Sequence, residues 1–416
     1  MKKIRYPHKA MVVSLYQNGL GIARDLARRG VPVMALGSTK ALAGIHTRYA
    51  QIHFCKNIDD ESCLVESLIA LGRNEKEKSV LFLTNDHQVH IVSRRRSELS
   101  EYYYINMPQK ETVMLLLEKT MFAPFAQKKG FSVPQSIILK HNNVDDGDIR
   151  FPCIIKPTYK TVTWWEECPE IKAYRADTRK EFEQTIAAIR QYYTGDLIIQ
   201  EWIPGNDNMI YFCLMYYNKQ GELCESFSGR KLIQWPPQLG NTCIAENVHN
   251  NEIERWGRQL FDAVDYRGCG SVEFKFDQRD QTFKITEPTV GRTNLQSGIA
   301  LLHGSDIPWA YYCDMVGIDY ESPAHRSRDV LWSDEGSVLR YVSHYGGRDV
   351  FNLTMLKKFL CYKKGFAYFS WRDPMPFIVF VWRMMNVMIG KIKKLRNKKH
   401  EIPQNPTRKS DEQSDK

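Results

Sequence analysis

The chain has 416 residues, 43% of them hydrophobic and 25% charged, which is enough apolar material for two or three cored domains of about 100–200 residues and excludes wholesale disorder. Its formal net charge of +10 is uneven: residues 391–416 hold nine Lys or Arg against four Asp or Glu, so half of the excess lies in the tail and the body is only mildly basic, which weakens a nucleic-acid reading that needs a basic stripe on a folded face. The ten cysteines are scattered singly, without a C-x-x-C pair or a Cys/His group at zinc spacing, which excludes a disulfide framework or structural zinc site and is expected of a reduced, cytoplasmic interior.

The basic start, MKKIRYPHK, is followed by an apolar run too short for a signal peptide. MVVSLY (11–16) is predicted as a first strand, QNGLGIARDLARRG (17–30) as a helix with apolar positions at Leu20, Ile22, Ala23, Leu26 and Ala27, and VPVMALG (31–37) as a second strand. The chain therefore opens on a βαβ unit. Gly19 and Gly21 supply half of a dinucleotide fingerprint, but the third glycine and the acid after the second strand are absent. A tight turn into a helix packed on a parallel sheet accounts for them. SVLFLTND (79–86) forms another strand, and Asp86 at its end stands where open α/β sheets bind ligands.

Residues 107–118 mark a change of character, after which TVMLLLEKTMFAPFAQKKG predicts one long amphipathic helix ending near Gly130. In FPCIIKP a buried strand delivers Lys156 ahead of Pro157, which keeps it extended and suits it to hold a phosphate as a point charge. A strand containing Lys172 and a helix capped by Asp177 or Thr178 follow. DLIIQEWIPGNDN then runs as a strand through Gln200 and Glu201 to the turn at Pro204 and Gly205, with Asp207 beyond it. Main-chain groups of such a strand can meet an adenine, and an acid a few residues on can reach ribose hydroxyls. A hairpin turning at residues 219–221 leads to Arg230 and Lys231, either solvated loop charges or contacts to an anion.

SVEFKFDQRDQTFKITEPTVGRTN (271–294) reads as a hairpin about the turn QRDQ. Alternation sets Glu273 and Glu287 on one face, with Arg292 just beyond. Two carboxylates on adjacent strands suit a hard divalent cation and an arginine beside them a phosphate-like group, while a solvated charged face is the plainer reading.

Taken in order, NGLGIARDLARRGVPV, LEKTMFAPFAQKKGFSVP, FPCIIKP, IIQEWIPGND, GRKLIQWPP and VEFKFD…ITEPTVGR resemble the ATP-grasp superfamily, specifically its carboxylate-amine ligase-like branch. The resemblance implies an α/β chain, α+β in its catalytic part: an N-terminal Rossmann-like pre-ATP-grasp domain (1–112), a two-lobed ATP-grasp domain (113–320, lobes 113–198 and 199–320), a helical C-terminal extension (321–400) and a disordered tail (401–416). It places Lys119 and Lys156 on ATP phosphates, Gln200, Glu201, Trp202 and Ile203 at the adenine, and Asp207 at the ribose. It makes Glu273 and Glu287 ligands of Mg2+, Arg292 the stabiliser of the transferred phosphoryl group or acyl phosphate, and Arg230 and Lys231 contacts to phosphate or substrate carboxylate.

The implied activity is ATP-dependent joining of a small carboxylate to an amine through an acyl phosphate, with release of ADP and phosphate. A kinase or carboxylase using the same ATP site, and a non-catalytic ATP-binding scaffold, are the alternatives; a scaffold has no need of Lys156, Glu273, Glu287 and Arg292 together. The chain departs from the family at Thr289, where an asparagine commonly serves as a further metal ligand. It departs again at Tyr159, Lys160, Trp164 and Trp165, bulky in a loop usually built of small residues, and at Gln200, where many members have an acid.

Near the C-terminus, residues 375–389 form an apolar helix interrupted by Arg383 and Asn386, short of the ~20 residues a membrane span needs. Followed by the basic run 391–399, it suits either an interfacial helix on an anionic membrane at the inner face or a docked helix with a solvated basic end.

Overall fold

The structure, a computed structural model, describes residues 6–140, 149–158, 173–323 and 326–400. The bulky loop residues Tyr159, Lys160, Trp164 and Trp165, Lys172 and the polar tail lie outside the described residues.

Strands β1 (Ala10–Val13), β2 (Val33–Gly37), β3 (Gln51–Phe54), β4 (Ser79–Phe82) and β5 (Tyr103–Tyr104) make a parallel sheet in the order β3-β2-β1-β4-β5. The strand order reverses beside β1, so the crevice at the carboxyl ends of β1 and β4 is the place for a ligand. Helix Gln17–Arg28 leaves β1 through a close approach: a β-carbon on Gly19 would lie 1.9 Å from the Ser14 carbonyl oxygen. That glycine serves packing of helix on strand, as the incomplete fingerprint predicts. After β4, Asn85 caps helix Asp86–Arg94 by accepting from the Gln88 N–H, which puts Asp86 in the first turn.

The expected single helix before Gly130 is two, Lys110–Leu117 and Lys119–Lys128, broken at an extended Glu118. At 3.6 residues per turn Leu116 and Phe122 would face directions about 120° apart on one helix, yet both are buried. The break brings the two apolar faces into phase and sets Lys119 at the start of the second helix.

An antiparallel sheet of β6 (Ser136–Leu139), β7 (Cys153–Pro157), β8 (Tyr174–Ala176) and β9 (Leu197–Glu201), ordered β6-β9-β7-β8, carries helix Arg179–Arg190, capped by Thr178. The remaining strands, β10 (Ile210–Tyr217), β11 (Leu223–Trp235), β12 (Asn241–Asn247), β13 (Gly268–Asp277), β14 (Thr282–Val290), β15 (Val330–Ser333) and β16 (Lys363–Phe366), form a seven-stranded sheet. Its order is β14-β13-β10-β11-β12-β15-β16, antiparallel except between β15 and β16. Beyond its helices, the C-terminal extension thus adds two strands to the edge of this sheet.

The parallel and seven-stranded sheets share their cores, Met11, Leu81, Val272, Phe274 and Ile285 belonging to one cluster and Phe82, Phe212 and Trp332 to another. Each such side chain withdrawn from water contributes about 1.5–3 kcal/mol, which joins these two sheets into one body. The four-stranded sheet keeps a core of its own around Ile155, Phe182 and Ile199. It faces the larger body across a cleft.

Candidate active site

The floor of the cleft is the hairpin β13–β14. Val272 and Phe274 turn into the core, so alternation gives Glu273 the opposite face, and Glu273 stands directly opposite Glu287 in register. On β14 the parity does not follow simple alternation, because Phe274 pairs with Ile285 while Glu273 pairs with Glu287. Thr286 is therefore an extra residue, a β-bulge that turns Glu287 from the core side to the cleft. Its hydroxyl lies 3.2 Å from the Glu273 carbonyl oxygen and 3.3 Å from Glu273 Oε1.

Around this pair a cavity of about 290 Å³ gathers Lys119 from the start of its helix, which packs on the larger body, Lys156 from the four-stranded sheet, Lys231 from β11, Thr289 from β14, and Arg292 from the loop beyond it. Gln200, Glu201, Trp202 and Ile203 form its side where the chain passes between the lobes, and Asp86 reaches it from the parallel sheet. Lys231 Nζ lies 2.6 Å from Glu273 Oε2 and Lys119 Nζ 3.7 Å from Glu287 Oε1. Lys156 Nζ donates to Gln200 Oε1 at 2.9 Å, and Arg292 Nε to Asp86 Oδ1 at 2.6 Å.

Lys275, two positions after Glu273, shares its face and donates to the Gly205 and Asn206 carbonyls at 2.8 and 3.1 Å. Burial pushes its ammonium down to about 8, against the opposing pull of Asp207 and Glu273. The lining cations Lys119, Lys156, Lys231, Lys275 and Arg292 outnumber the acids Asp86, Glu201, Glu273 and Glu287. Glu201 is itself held by Arg279 at 2.8 Å. This balance suits a polyanion with its counter-ion.

Two expected contacts are not brought to the cavity. Arg230 and Lys231 are consecutive on β11 and point to opposite faces: Lys231 enters the cleft, whereas Arg230 pairs with buried Glu246 at 2.7 Å on the far side. Asp207 is the second correction. Its carboxylate accepts from Gln234 N at 2.8 Å, Gln234 Nε2 at 3.1 Å and Gln238 N at 2.7 Å, so it pins the β11–β12 loop and does not face the cavity.

Lys275, Asn294 and Gln296 line the cavity without having been singled out in the sequence. Period 2 from Glu273 points to Lys275. Gln296 is 5% exposed and donates to Thr242 Oγ1 at 2.8 Å, while its Oε1 has no hydrogen-bond partner among the described residues.

The donor set fits magnesium. Two carboxylates and the Thr289 hydroxyl are hard oxygen ligands, and among the described residues no group of three or more His, Cys, Asp or Glu gathers as a metal cage. Mg2+ is held in this way, by one or two carboxylates with the rest of its shell from water and phosphate.

No family model matches the chain. Over 288 residues, 65% of this chain and 68% of the relative, it is 22% identical to a D-aspartate ligase from Enterococcus faecium (strain Aus0004). Its fold is similar to that of N5-carboxyaminoimidazole synthetase from Staphylococcus aureus complexed with ADP, with TM-score 0.57 and 13% identity over 77% of this chain and 80% of that one. It is similar also to the biotin carboxylase domain of Hydrogenobacter thermophilus 2-oxoglutarate carboxylase in complex with MgADP, ADP and bicarbonate, with TM-score 0.58 and 13% identity over 76% of this chain and 72% of that one. At these identities the solved structures establish the fold, and the relatives' chemistry remains their own.

Proposed function

We propose, for a chain that is an ATP-grasp protein of the carboxylate-amine ligase type, that the cleft between its lobes activates a small carboxylate as an acyl phosphate and passes it to an amine. The observation that carries this reading is the bulge-assisted pairing of Glu273 with Glu287 at the floor of a cavity walled by Lys119, Lys156, Lys231 and Arg292. Phosphoryl transfer needs positioning and charge neutralisation more than covalent help from the protein, and these side chains supply both.

In this reading Lys119 and Lys156 hold the phosphates, Glu273, Glu287 and Thr289 hold Mg2+, and the segment 200–203 holds the adenine. Magnesium would neutralise the phosphates and orient them. A carboxylate oxygen attacks the γ-phosphorus, the bond to the ADP oxygen breaks, and Arg292 and Lys231 meet the charge on the transferred group. An amine then attacks the acyl carbon, phosphate leaves, and the amine gives up its proton. The unpartnered Oε1 of Gln296 offers an acceptor for an amine N–H. We assign the residue boundaries 1–112, 113–320, 321–400 and 401–416 to the N-terminal domain, the grasp, the extension and the tail, and place the enzyme in the cytoplasm.

The test is to follow ADP and phosphate with ATP, Mg2+ and pooled carboxylates and amines. Phosphate released only when both a carboxylate and an amine are present is expected; ADP formed with a stable phosphorylated product would show a kinase instead.

A further inference from the structure

We infer that the helix Met375–His400, together with Trp371, is a docking surface for an anionic lipid membrane. The helix is anchored at its start: buried Asp373 accepts from Arg24 Nε at 2.8 Å and Thr47 Oγ1 at 2.6 Å, and Phe380 stacks on Tyr368 at 4.7 Å. Arg383 adds a hydrogen bond to the Lys40 carbonyl at 2.7 Å. One side of the helix is thus fixed to the body, and what the other side displays is set by the fold.

That other side is apolar. Met375, Ile378, Trp382, Met385 and Ile389 are between 46 and 61% exposed, and at 100° per residue they fall within an arc of about 80°. Trp371, just before the helix, is 87% exposed with its ring packed edgewise on Phe369. Large apolar side chains in an ordered stripe are costly to leave in water and mark an interaction surface. Tryptophans are the side chains that settle at the headgroup level of a bilayer.

The charge identifies the occupant. Exposed Arg48 and Arg372 lie beside the start of the helix and exposed Lys40 beside Arg383 further along it, and the nearest acid along the chain, Asp373, is buried against Arg24. In sequence, residues 391–399 contain six Lys or Arg and no acid. An apolar stripe bordered by cations at both ends matches the interface of an anionic bilayer. A second copy fits less well, since the like-charged runs of two parallel helices would repel. Among the described residues no helix is long and apolar enough to cross a membrane, so the contact is peripheral.

The test is flotation of the full chain with vesicles of phosphatidylcholine alone and of phosphatidylcholine with phosphatidylglycerol in roughly equal parts. Flotation is expected with the anionic vesicles alone, lost at about 1 M salt, where the Debye length is about 3 Å. Each Lys or Arg of 391–399 changed to Gln should weaken binding about fivefold. The double variant Ile378→Glu, Trp382→Glu should release the protein from vesicles while forming ADP at the parental rate. Should that variant fold poorly, quenching by acyl-brominated lipid reports in its place: the parent should be quenched, and Trp371→Phe with Trp382→Phe should lose most of the effect. Equal flotation with both vesicles, flotation with neither, or undiminished flotation of the double variant overturns the inference. So does a parental dimer that Trp382→Glu converts to monomer without any vesicle binding, which would give the face to a second copy.

Discussion

Arg292 donates from Nε to Asp86 Oδ1 at 2.6 Å, joining the loop after β14 to the first turn of the helix after β4 across 206 positions of sequence. Arg292 is mostly buried and Asp86 about half exposed, so the carboxylate aims a guanidinium that the shared core has already placed. The helix after β4 of the N-terminal sheet in this way helps to wall the cleft.

Asp86→Asn should therefore act on turnover more than on folding. A hydrogen bond to a charged group contributes about 1.5–3 kcal/mol, so kcat is expected to fall ten- to a hundredfold with little change in the KM for ATP. The thermal midpoint should move little, because Asp86 is about half exposed and solvent screens its pairing with Arg292. Arg292→Lys should not restore the rate, since a point ammonium cannot reproduce the planar fork. Steady-state kinetics of the three proteins decide it; a raised KM with unchanged kcat would place Arg292 in ATP binding alone.

Glu287→Gln and Glu273→Gln should each abolish ADP formation, by about a thousandfold or more if they hold the metal that supplies several kcal/mol. Glu273→Gln also removes the carboxylate 2.6 Å from Lys231, which keeps its hydrogen bond to Gln234 Oε1 at 3.1 Å. Metal titration followed by ADP release separates the roles: a variant whose rate returns at high Mg2+ has lost affinity only, and unchanged turnover at ordinary Mg2+ rejects the assignment.

Arg230 and Lys231 should part company. Lys231→Met is expected to lower kcat by about a hundredfold or more, the usual effect of losing a group aimed at developing charge. Arg230→Met should leave the rate within a few-fold but lower stability by about 1–3 kcal/mol, because Glu246 is buried and, among the described residues, keeps Lys358 alone as its cation. Urea unfolding beside kinetics tests the pair, and the reverse pattern would mean that the strand faces are misassigned.

The particular residues show how far sequence carries. The opening βαβ unit, the hairpin with Glu273 and Glu287, and the lysine ahead of Pro157 were legible because period and punctuation are local signals. The bulge at Thr286 was not, since an ordinary threonine carries no mark of an extra residue in a ladder. Neighbouring Arg230 and Lys231 could not be separated before the strand's facing was known. Asp207 resembled a ribose acid because its three donors come from residues 234 and 238, beyond any local pattern. Lys275 was within reach of period 2 but reads on a strand as an ordinary solvated lysine.

Lys275 also gives the site a pH signature. Burial holds its ammonium down to about 8 in the fold, against about 10.4 in an unfolded chain. Between these values the unfolded chain keeps a proton that the fold has released, so stability rises with pH across that window. Below about 8 both states are charged and the cost of burying the ammonium is present in full; above about 10 both are neutral and the cost is gone. Lys275→Met removes the titration. The parent's unfolding free energy should therefore gain on the variant's between about pH 8 and 10, by an amount on the order of 2–3 kcal/mol. Parallel pH profiles for the two proteins in urea unfolding would show that Lys275 keeps its ordinary affinity for a proton.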